Sequence, residues 1–152
     1  MKRKTKVAKS ASPAAIAVLR QATARHPRRK KASDGLLPSA AHLKASPTSD
    51  HNTGLAVDLT HDLKHGIDCA ELFEKLQEDK RVKYLIFRGR IWSEEKGVSA
   101  YTGLNAHNKH IHISIKDGHG NDISEWFPWW SKAKTLGKIV SKVQPLRKKC
   151  RK

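Results

Sequence analysis

Two short segments of the chain alternate between apolar and polar residues with the period of a β-strand. In the first segment, Leu55, Val57 and Leu59 fall on one face, and Ala56 and Asp58 fall on the other. This period of two is typical of a strand with one buried face. The pattern therefore predicts a strand that carries Asp58 on its polar side.

The second alternating segment spans residues 110–115 and has an isoleucine at every other position. Its opposite face carries His110, His112 and Ser114. If the two strands pair in one sheet, their apolar residues fill the core. Asp58 and both histidines then share the polar face of that sheet.

Helix signals flank these strands. Ser12 followed by Pro13 predicts a capped helix that runs to about Arg25. Asp68 predicts the cap of a second helix over about residues 69–79, whose apolar positions recur with helical spacing. These elements predict an α+β fold with a small antiparallel sheet flanked by helices.

The segments between these elements complete the predicted organisation. Residues 82–87 read as a third strand, and Gly89 as a turn after it. Residues 27–50 read as a loop-rich segment, and residues 94–109 as one long loop. A long loop within a small domain is often functional, so the 94–109 loop is expected to line a substrate groove.

The domain prediction has three parts. Residues 1–11 are expected to form a disordered basic tail, residues 12–131 a single domain, and residues 132–152 a basic helix or tail. In this last part, Leu136 and Val143 delimit a set of apolar residues spaced for one helical face. Such a helix either docks on the domain or lies on a membrane surface.

The charge of the chain is concentrated at its two ends. The formal net charge is +17, and residues 1–31 and 132–152 contain 11 and 9 Lys or Arg with no acidic residue. The other 11 basic residues and all 14 acidic residues lie in 32–131, which leaves that segment at −3. The basic ends are either solvated tails or anchors for anionic envelope polymers or lipids. Nucleic acid is a weaker prediction, because no nucleic-acid-binding motif is visible.

Targeting and cysteine signals add little. No apolar run approaches the ~18 residues of a membrane span. The segment after the basic start, Val7 to Ala17, is interrupted by polar residues and by Pro13, so no Sec signal is expected. Cys69 and Cys150 lie far apart, and free thiols are favoured over a disulfide.

The two predicted strands bring together His51, Asp58 and His112 as possible metal ligands. Two imidazoles and a carboxylate suit Zn²⁺, and a catalytic zinc site uses three protein ligands and keeps one position for water. Gly54, between His51 and the strand, allows a tight turn beside a metal. Ala56 is the small residue on the Asp58 face and leaves room for a ligand.

These residues carry a resemblance to a known family. The pattern Ser-x-His-x-x-Gly-x-Ala-x-Asp is complete at Ser49, His51, Gly54, Ala56 and Asp58. It resembles the zinc peptidases of the lysostaphin, D-Ala-D-Ala peptidase and sonic hedgehog group.

The closing His107-x-x-His110-x-His112 pattern is similar to the penicillin-insensitive murein endopeptidase branch of this group. The chain also resembles small M15-like murein peptidases of phages and actinobacteria. The resemblance covers about residues 12–116.

The resemblance implies a role for each of these positions. His51, Asp58 and His112 would bind zinc, and His110 would lie beside the metal-bound water or the oxyanion. His107 would contact one of the metal-binding residues or the substrate.

Two further positions have open alternatives. Ser49 would orient His51, or would simply be a turn hydroxyl. Tyr101 would contact a peptide stem, or would simply pack in the domain.

One position departs from the family pattern. Many carboxypeptidases of the group have a glutamate three residues before the last histidine ligand, as general base, and this chain has Lys109 there. His110 is therefore the expected catalytic acid or base. Glu94 and Glu95 are the alternatives, although their polar run reads as a solvated loop.

The sequence thus predicts a zinc-dependent peptidoglycan peptidase, an endopeptidase or carboxypeptidase of the endolysin kind. It is expected to act as a monomer on a stem peptide or cross-link. It would be made in a host cytoplasm and act in the cell envelope, or would be associated with a virion. The alternative is a non-catalytic, zinc-stabilised protein of the same fold that binds the cell wall or a virion.

Overall fold

A five-stranded antiparallel sheet organises residues 7–130, the part of the chain that the computed structural model describes. Its strands lie in the spatial order β1-β5-β2-β3-β4, so the two predicted site strands are neighbours. The strands are β1 Ala56–Thr60, β2 Val82–Phe87, β3 Arg90–Ser93, β4 Gly97–Ala100 and β5 His110–Ile115. The predicted α+β class with a small antiparallel sheet is confirmed.

Helices accompany the sheet: α1 Pro13–Arg25, α2 Ala40–Ala45 and α3 Cys69–Lys75, with 3₁₀ turns at Asp50–Thr53, Leu63–His65 and Leu76–Glu78. Both predicted caps are present. The Ala15 amide donates to Ser12 Oγ over 3.2 Å, and the Ala70 amide donates to Asp68 Oδ1 over 2.9 Å. The predicted helix over 69–79 is thus α3 followed by a 3₁₀ turn.

The core lies on one face of the sheet. β1 and β5 pair with Val57 opposite Ile113 and Leu59 opposite Ile111, and all four side chains are fully buried. Helix α1 packs against β1, and α3 packs against β2 and β5. Because burial of such a side chain contributes about 1.5–3 kcal/mol, this register is strongly favoured. The opposite face of β1 and β5 carries the candidate site.

Residues 7–11 belong to the domain rather than to the predicted disordered tail. The Ala8 amide donates to Asn52 O over 2.7 Å, and the Ser12 amide donates to Gly54 O over 2.9 Å. Gly54 has φ +75°, and a Cβ there would lie 2.7 Å from Ser10 O. Glycine therefore allows this segment to pack on the turn that carries His51. Residues 1–6 and 131–152 lie outside the described residues, and so do the predicted C-terminal helix and Cys150.

Both predicted loops contain regular structure. Residues 27–50 include α2, and residues 94–109 include β4, which pairs with β3. A tight turn joins β2 to β3, so that β3 is in place to pair with β4. Arg88 and Gly89 both have positive φ, of 47° and 72°, which matches the two-residue turns that suit hairpins. The chain therefore forms two consecutive antiparallel hairpins, β2–β3 and β3–β4, before it reaches the histidines of β5.

A strap of residues 29–36 crosses the end of β1. Both terminal nitrogens of Arg29 donate to Asp34, over 3.0 and 2.7 Å. Asp34 Oδ1 also accepts from the amide and the hydroxyl of Thr60, over 3.1 and 2.8 Å. Gly35 then pairs with Asp58 through two backbone hydrogen bonds of 3.1 and 2.8 Å. The strap therefore fixes the backbone of a predicted metal ligand.

Two further findings concern the described residues. None of their helices is long and apolar enough to cross a membrane. Among them, Cys69 is a buried free cysteine, and burial raises the pKa of its thiol to about 12.

The Arg29–Asp34 pair generates a stability prediction. The Arg29 side chain is only 1% exposed, so Asp34→Ala leaves a buried guanidinium without its carboxylate. We expect a loss of about 3–5 kcal/mol in the free energy of unfolding, measured by urea denaturation. Glu74→Ala is the matched control, because its pair with Arg90 is exposed and should contribute no more than about 1 kcal/mol.

The same pair gives a pH dependence with a defined sign. Burial alone would raise the pKa of Asp34, but hydrogen bonds from Arg29 and Thr60 outweigh it and hold the pKa below the ordinary 3.8. This stabilisation is present above pH 3.8 and is lost as the pH falls through the folded-state pKa. The stability difference between wild type and Asp34→Ala should therefore shrink below pH 3.8. A difference that stayed constant or grew on acidification would contradict this role.

Candidate metal centre

Strand pairing assembles the centre on the polar face of β1 and β5. Asp58 is the direct register partner of His112, and Thr60 is the partner of His110. His51 arrives from the 3₁₀ turn just before β1, which ends at Gly54 in the left-handed region. Paired residues of neighbouring strands point to the same face, so the fold brings these side chains together.

The three predicted metal ligands converge on one oxygen. His112 Nδ1 lies 2.9 Å from Asp58 Oδ1, and His51 Nε2 lies 3.3 Å from the same atom. Both histidines are buried, and Asp58 is half-buried. The structure therefore brings together His51, Asp58 and His112 as a group that could hold a metal ion.

The orientation of His51 tests whether these residues fit a cation. Its Nδ1 lies 2.8 Å from the backbone oxygen of Leu36, which can only accept, so Nδ1 carries a hydrogen. In a neutral ring, Nε2 then directs a lone pair at the Asp58 carboxylate. Two electron-rich atoms in this position need a proton or a cation between them. A carbonyl partner on the far nitrogen is also the usual arrangement of a metal-bound histidine.

The electrostatics of the three residues agree with this fit. Burial alone would raise the pKa of Asp58, but hydrogen bonds from His112 and His51 outweigh it and hold the pKa far below its usual value. Burial alone would lower the pKa of His51, but the hydrogen bond and charge of Asp58 outweigh it and raise the pKa. The centre therefore keeps a charged carboxylate beside two imidazoles, the donor set that suits Zn²⁺.

Two more histidines lie beside this group, as predicted. His110 Nε2 is 3.7 Å from Asp58 Oδ2, the carboxylate oxygen opposite the one that His51 and His112 contact. The rings of His107 and His110 are 4.9 Å apart, and those of His107 and His112 are 5.6 Å apart. Burial lowers the pKa of His110, and burial and the neighbouring histidines lower that of His107 to about 4. Both rings are therefore neutral near pH 7.

The structure separates the alternatives for the remaining predicted positions. Ser49 Oγ accepts from the backbone amide of His51 over 3.3 Å, so the hydroxyl caps the turn and does not bind the ring. The ring of Tyr101 packs edge-on against His107 at 5.5 Å, at the border of the centre. Glu94 pairs with Lys116 over 2.5 Å, and Glu95 is exposed in the same β3–β4 turn. Neither glutamate belongs to the groups that could hold a metal.

Three contributions to the centre were not predicted. The Leu36 carbonyl orients His51, and the ring of Tyr84 stacks on His112 at 5.4 Å. His42, from the unpredicted helix α2, lies edge-on to His51 at 5.6 Å. The position of Tyr84 follows from its strand alternation only once the β2–β5 register is known. A carbonyl partner leaves no sequence signal at all.

Two grooves share residues with the centre or its neighbours. One, of about 430 Å³, is lined by Ser33, Asp34, Asn105, Asn108, Lys109 and His110. The other, of about 440 Å³, is lined by Lys83, Tyr84, Ser93, Glu94, Glu95 and Lys116. His110 lines the first groove and lies beside Asp58, and Tyr84 lines the second and stacks on His112.

Comparison with known proteins places the chain in a family. The model of the VldE C-terminal domain family matches residues 8–112, and the chain belongs to this family. The matched segment contains the strap, β1 and every histidine of the centre. No curated protein and no solved structure matches the chain.

The geometry predicts which substitutions remove metal binding. We expect His51→Ala, Asp58→Ala and His112→Ala each to lower zinc affinity by more than the ~10–100-fold that is typical when only an outer partner is lost. Competition with a chromophoric chelator measures this affinity. Ser49→Ala is the matched control, because its hydroxyl contacts only the His51 backbone, and it should keep affinity within about tenfold. Wild-type affinity in any two of the three ligand variants would show that the metal is bound elsewhere.

Proposed function

We propose that this protein is a zinc-dependent peptidase that hydrolyses an amide bond in a peptidoglycan stem peptide or cross-link. The observation that carries the proposal is the convergence of His51 Nε2, His112 Nδ1 and Asp58 Oδ1, with a neutral His110 beside them. The resemblance of residues 49–58 and 107–112 to murein peptidases supports the choice of substrate.

The ligand set determines what a bound metal contributes. Zinc held by His51, Asp58 and His112 would supply Lewis-acid polarisation of the scissile carbonyl and would lower the pKa of a bound water toward ~7. The chain's own residues do the rest. Leu36 holds the His51 ring in one tautomer, and Tyr84 covers the face of His112.

His110 is the residue positioned to move a proton. Its Nε2 lies 3.7 Å from Asp58 Oδ2, and the residue lines the groove that also contains Asn105 and Lys109. Because burial keeps the ring neutral near pH 7, Nε2 can accept a proton from an attacking water and later donate it to the leaving amine. His107, packed against His110, holds that ring in place.

The two grooves suit an extended, charged peptide. Lys109 lies in one groove with Asp34, and Lys83 and Lys116 lie in the other with Glu94 and Glu95. Because Lys83 and Lys116 are paired with Asp50 and Glu94, Lys109 is the lysine that can pair with a free carboxylate of a peptidoglycan stem. A peptide that crosses both grooves would place one of its amide bonds at the centre.

A second candidate is a non-catalytic, zinc-stabilised protein that binds the cell wall or a virion. The observation that favours it is Lys109, which is exposed where related carboxypeptidases have a glutamate, with no glutamate of the described residues beside the metal ligands. Digestion of purified sacculi separates the two candidates. Release of stem peptides, identified by mass spectrometry, requires turnover, whereas sedimentation with sacculi and no release indicates binding alone.

The basic ends are proposed to hold the protein on anionic envelope polymers or lipids. Most of their charge lies in residues 1–6 and 132–152, outside the described residues. Arg29 is an exception, since it is buried and paired within the domain. The domain is proposed to act as a monomer, made in a host cytoplasm and acting in the envelope or in a virion.

The proposed mechanism predicts the behaviour of one variant. His110→Ala should retain zinc, because His110 is not among the three converging ligands, and should lose about 10²–10⁴-fold in kcat/KM on sacculi. Zinc content and peptide release are measured on the same preparation. Glu74→Gln is the matched control and should keep wild-type turnover, because Glu74 pairs with Arg90 on the surface and lines neither groove.

Two outcomes would contradict the mechanism. Near wild-type kcat/KM in His110→Ala would remove His110 from the reaction. A large loss of turnover in Glu94→Gln, with zinc retained, would instead identify a glutamate as the base.

A further inference from the structure

We propose that Asp58 Oδ2, His110 and His107 form a second divalent-cation site, joined to the first by the Asp58 carboxylate. The expected ligand is zinc or another borderline metal that accepts imidazole and carboxylate together. This inference goes beyond the proposed function, since it concerns metal binding alone.

The carboxylate of Asp58 is divided between two groups of histidines. Oδ1 contacts His51 Nε2 and His112 Nδ1, while Oδ2 faces His110 Nε2 at 3.7 Å. One ligand atom each from Asp58, His107 and His110 lies within 4.8 Å of the others. A carboxylate that offers one oxygen to each of two ions is suited to two-metal sites, whose ions are about 3.5–4 Å apart.

His107 also has a ring nitrogen without a partner. Its Nδ1 is buried and has no hydrogen-bond partner among the described residues. An unpaired buried nitrogen costs free energy, so its presence calls for a specific partner. A cation held with His110 and Asp58 would provide that partner.

The backbone of His107 is strained in a way that fixes its ring. It has φ +56°, which a side chain with a Cβ rarely adopts. Its amide donates to Asn105 Oδ1 over 3.0 Å, and its carbonyl accepts from the Arg88 amide over 3.3 Å. Such strain persists only where the surroundings hold it, and it is concentrated at functional sites. The loop is therefore built to hold the ring of His107 against His110 and His112.

Space is kept free beside Oδ2. A Cβ on Gly35 would lie 3.0 Å from this oxygen, so glycine leaves room at this position of the strap. His110, whose Nε2 faces this oxygen, also lines the groove that contains Asn105 and Asn108.

Charge determines the order in which the two sites fill. The first ion has the shorter contacts of Asp58 and two buried histidines, whereas the second shares the same single negative charge. Repulsion between the ions makes the second site weaker. We expect the second dissociation constant to be at least about tenfold larger than the first. His110 therefore remains free for the proposed chemistry until zinc exceeds one equivalent.

A zinc titration of the full-length metal-free protein tests this site. All variants carry Cys150→Ser, so that a thiol outside the described residues cannot contribute. Competition with a chromophoric chelator should show two equivalents per chain in this background. His107→Ala and His110→Ala should each retain the tighter equivalent and lose the weaker one. His119→Ala should keep both, because this histidine lies outside both candidate groups.

His107→Gln and His110→Gln repeat the test with side chains close in size to histidine, in case an alanine variant does not fold. Cobalt absorption provides a second readout, and its second-equivalent component should be absent from the same variants. One equivalent in the parent protein would overturn the inference, and so would a weaker equivalent that survives in the variants of both histidines.

The outcome is independent of the proposed function. Turnover on sacculi with a single equivalent of zinc would reject this site and keep the peptidase. Two bound equivalents of zinc, with no turnover in protein loaded with only one equivalent, would keep this site and reject the peptidase.

Discussion

The antiparallel pairing of β1 with β5 is the constraint on which the rest of the structure depends. It sets Asp58 opposite His112 on one face and Val57 opposite Ile113 on the other. Because side chains alternate along a strand, a slip of one residue would put the carboxylate into the core and expose the buried isoleucine. Burial of the apolar face therefore fixes the polar centre, and no separate interaction is needed to choose the register.

The strap of residues 29–36 is the second constraint, because it orients two of the three converging residues, Asp58 and His51. Gly35 fixes the backbone of Asp58, and Leu36 fixes the tautomer of His51. The strap itself is fixed by the buried pair of Arg29 and Asp34. The same eight residues thus stabilise the fold and orient the centre. Substitutions in the ion pair are therefore expected to disturb Asp58 and His51 as well.

The sequence was sufficient for the features that depend on local patterns. Ser12 and Asp68 cap helices as predicted, and alternation assigned the faces of both site strands correctly. Features that depend on contacts between distant segments were missed. The Leu36 carbonyl has no side-chain signal, and Tyr84 reaches His112 only through the β2–β5 pairing.

Two features were missed for the same physical reason: the packing of residues 7–11 on the domain and the strand β4. Residues 7–11, Val-Ala-Lys-Ser-Ala, follow a strongly basic start and show no strand or helix pattern, yet Gly54 lets their backbone pack against the turn of His51. Strand β4 is short and largely exposed, so its sequence lacks the apolar alternation that predicts a strand. It forms because its backbone pairs with β3. Composition and periodicity report burial well, but they do not report backbone pairing at an exposed edge.

The segment that matches the VldE C-terminal domain family, residues 8–112, includes residues 8–11 and all three proposed metal ligands. Both proposals require that His51, Asp58 and His112 hold a metal ion. X-ray absorption at the zinc edge, on full-length protein loaded with one equivalent, tests it directly. We expect nitrogen and oxygen neighbours at about 2.0–2.2 Å, with two imidazoles and no sulfur. A sulfur neighbour at about 2.3 Å, or a spectrum unchanged in Asp58→Ala, would contradict it.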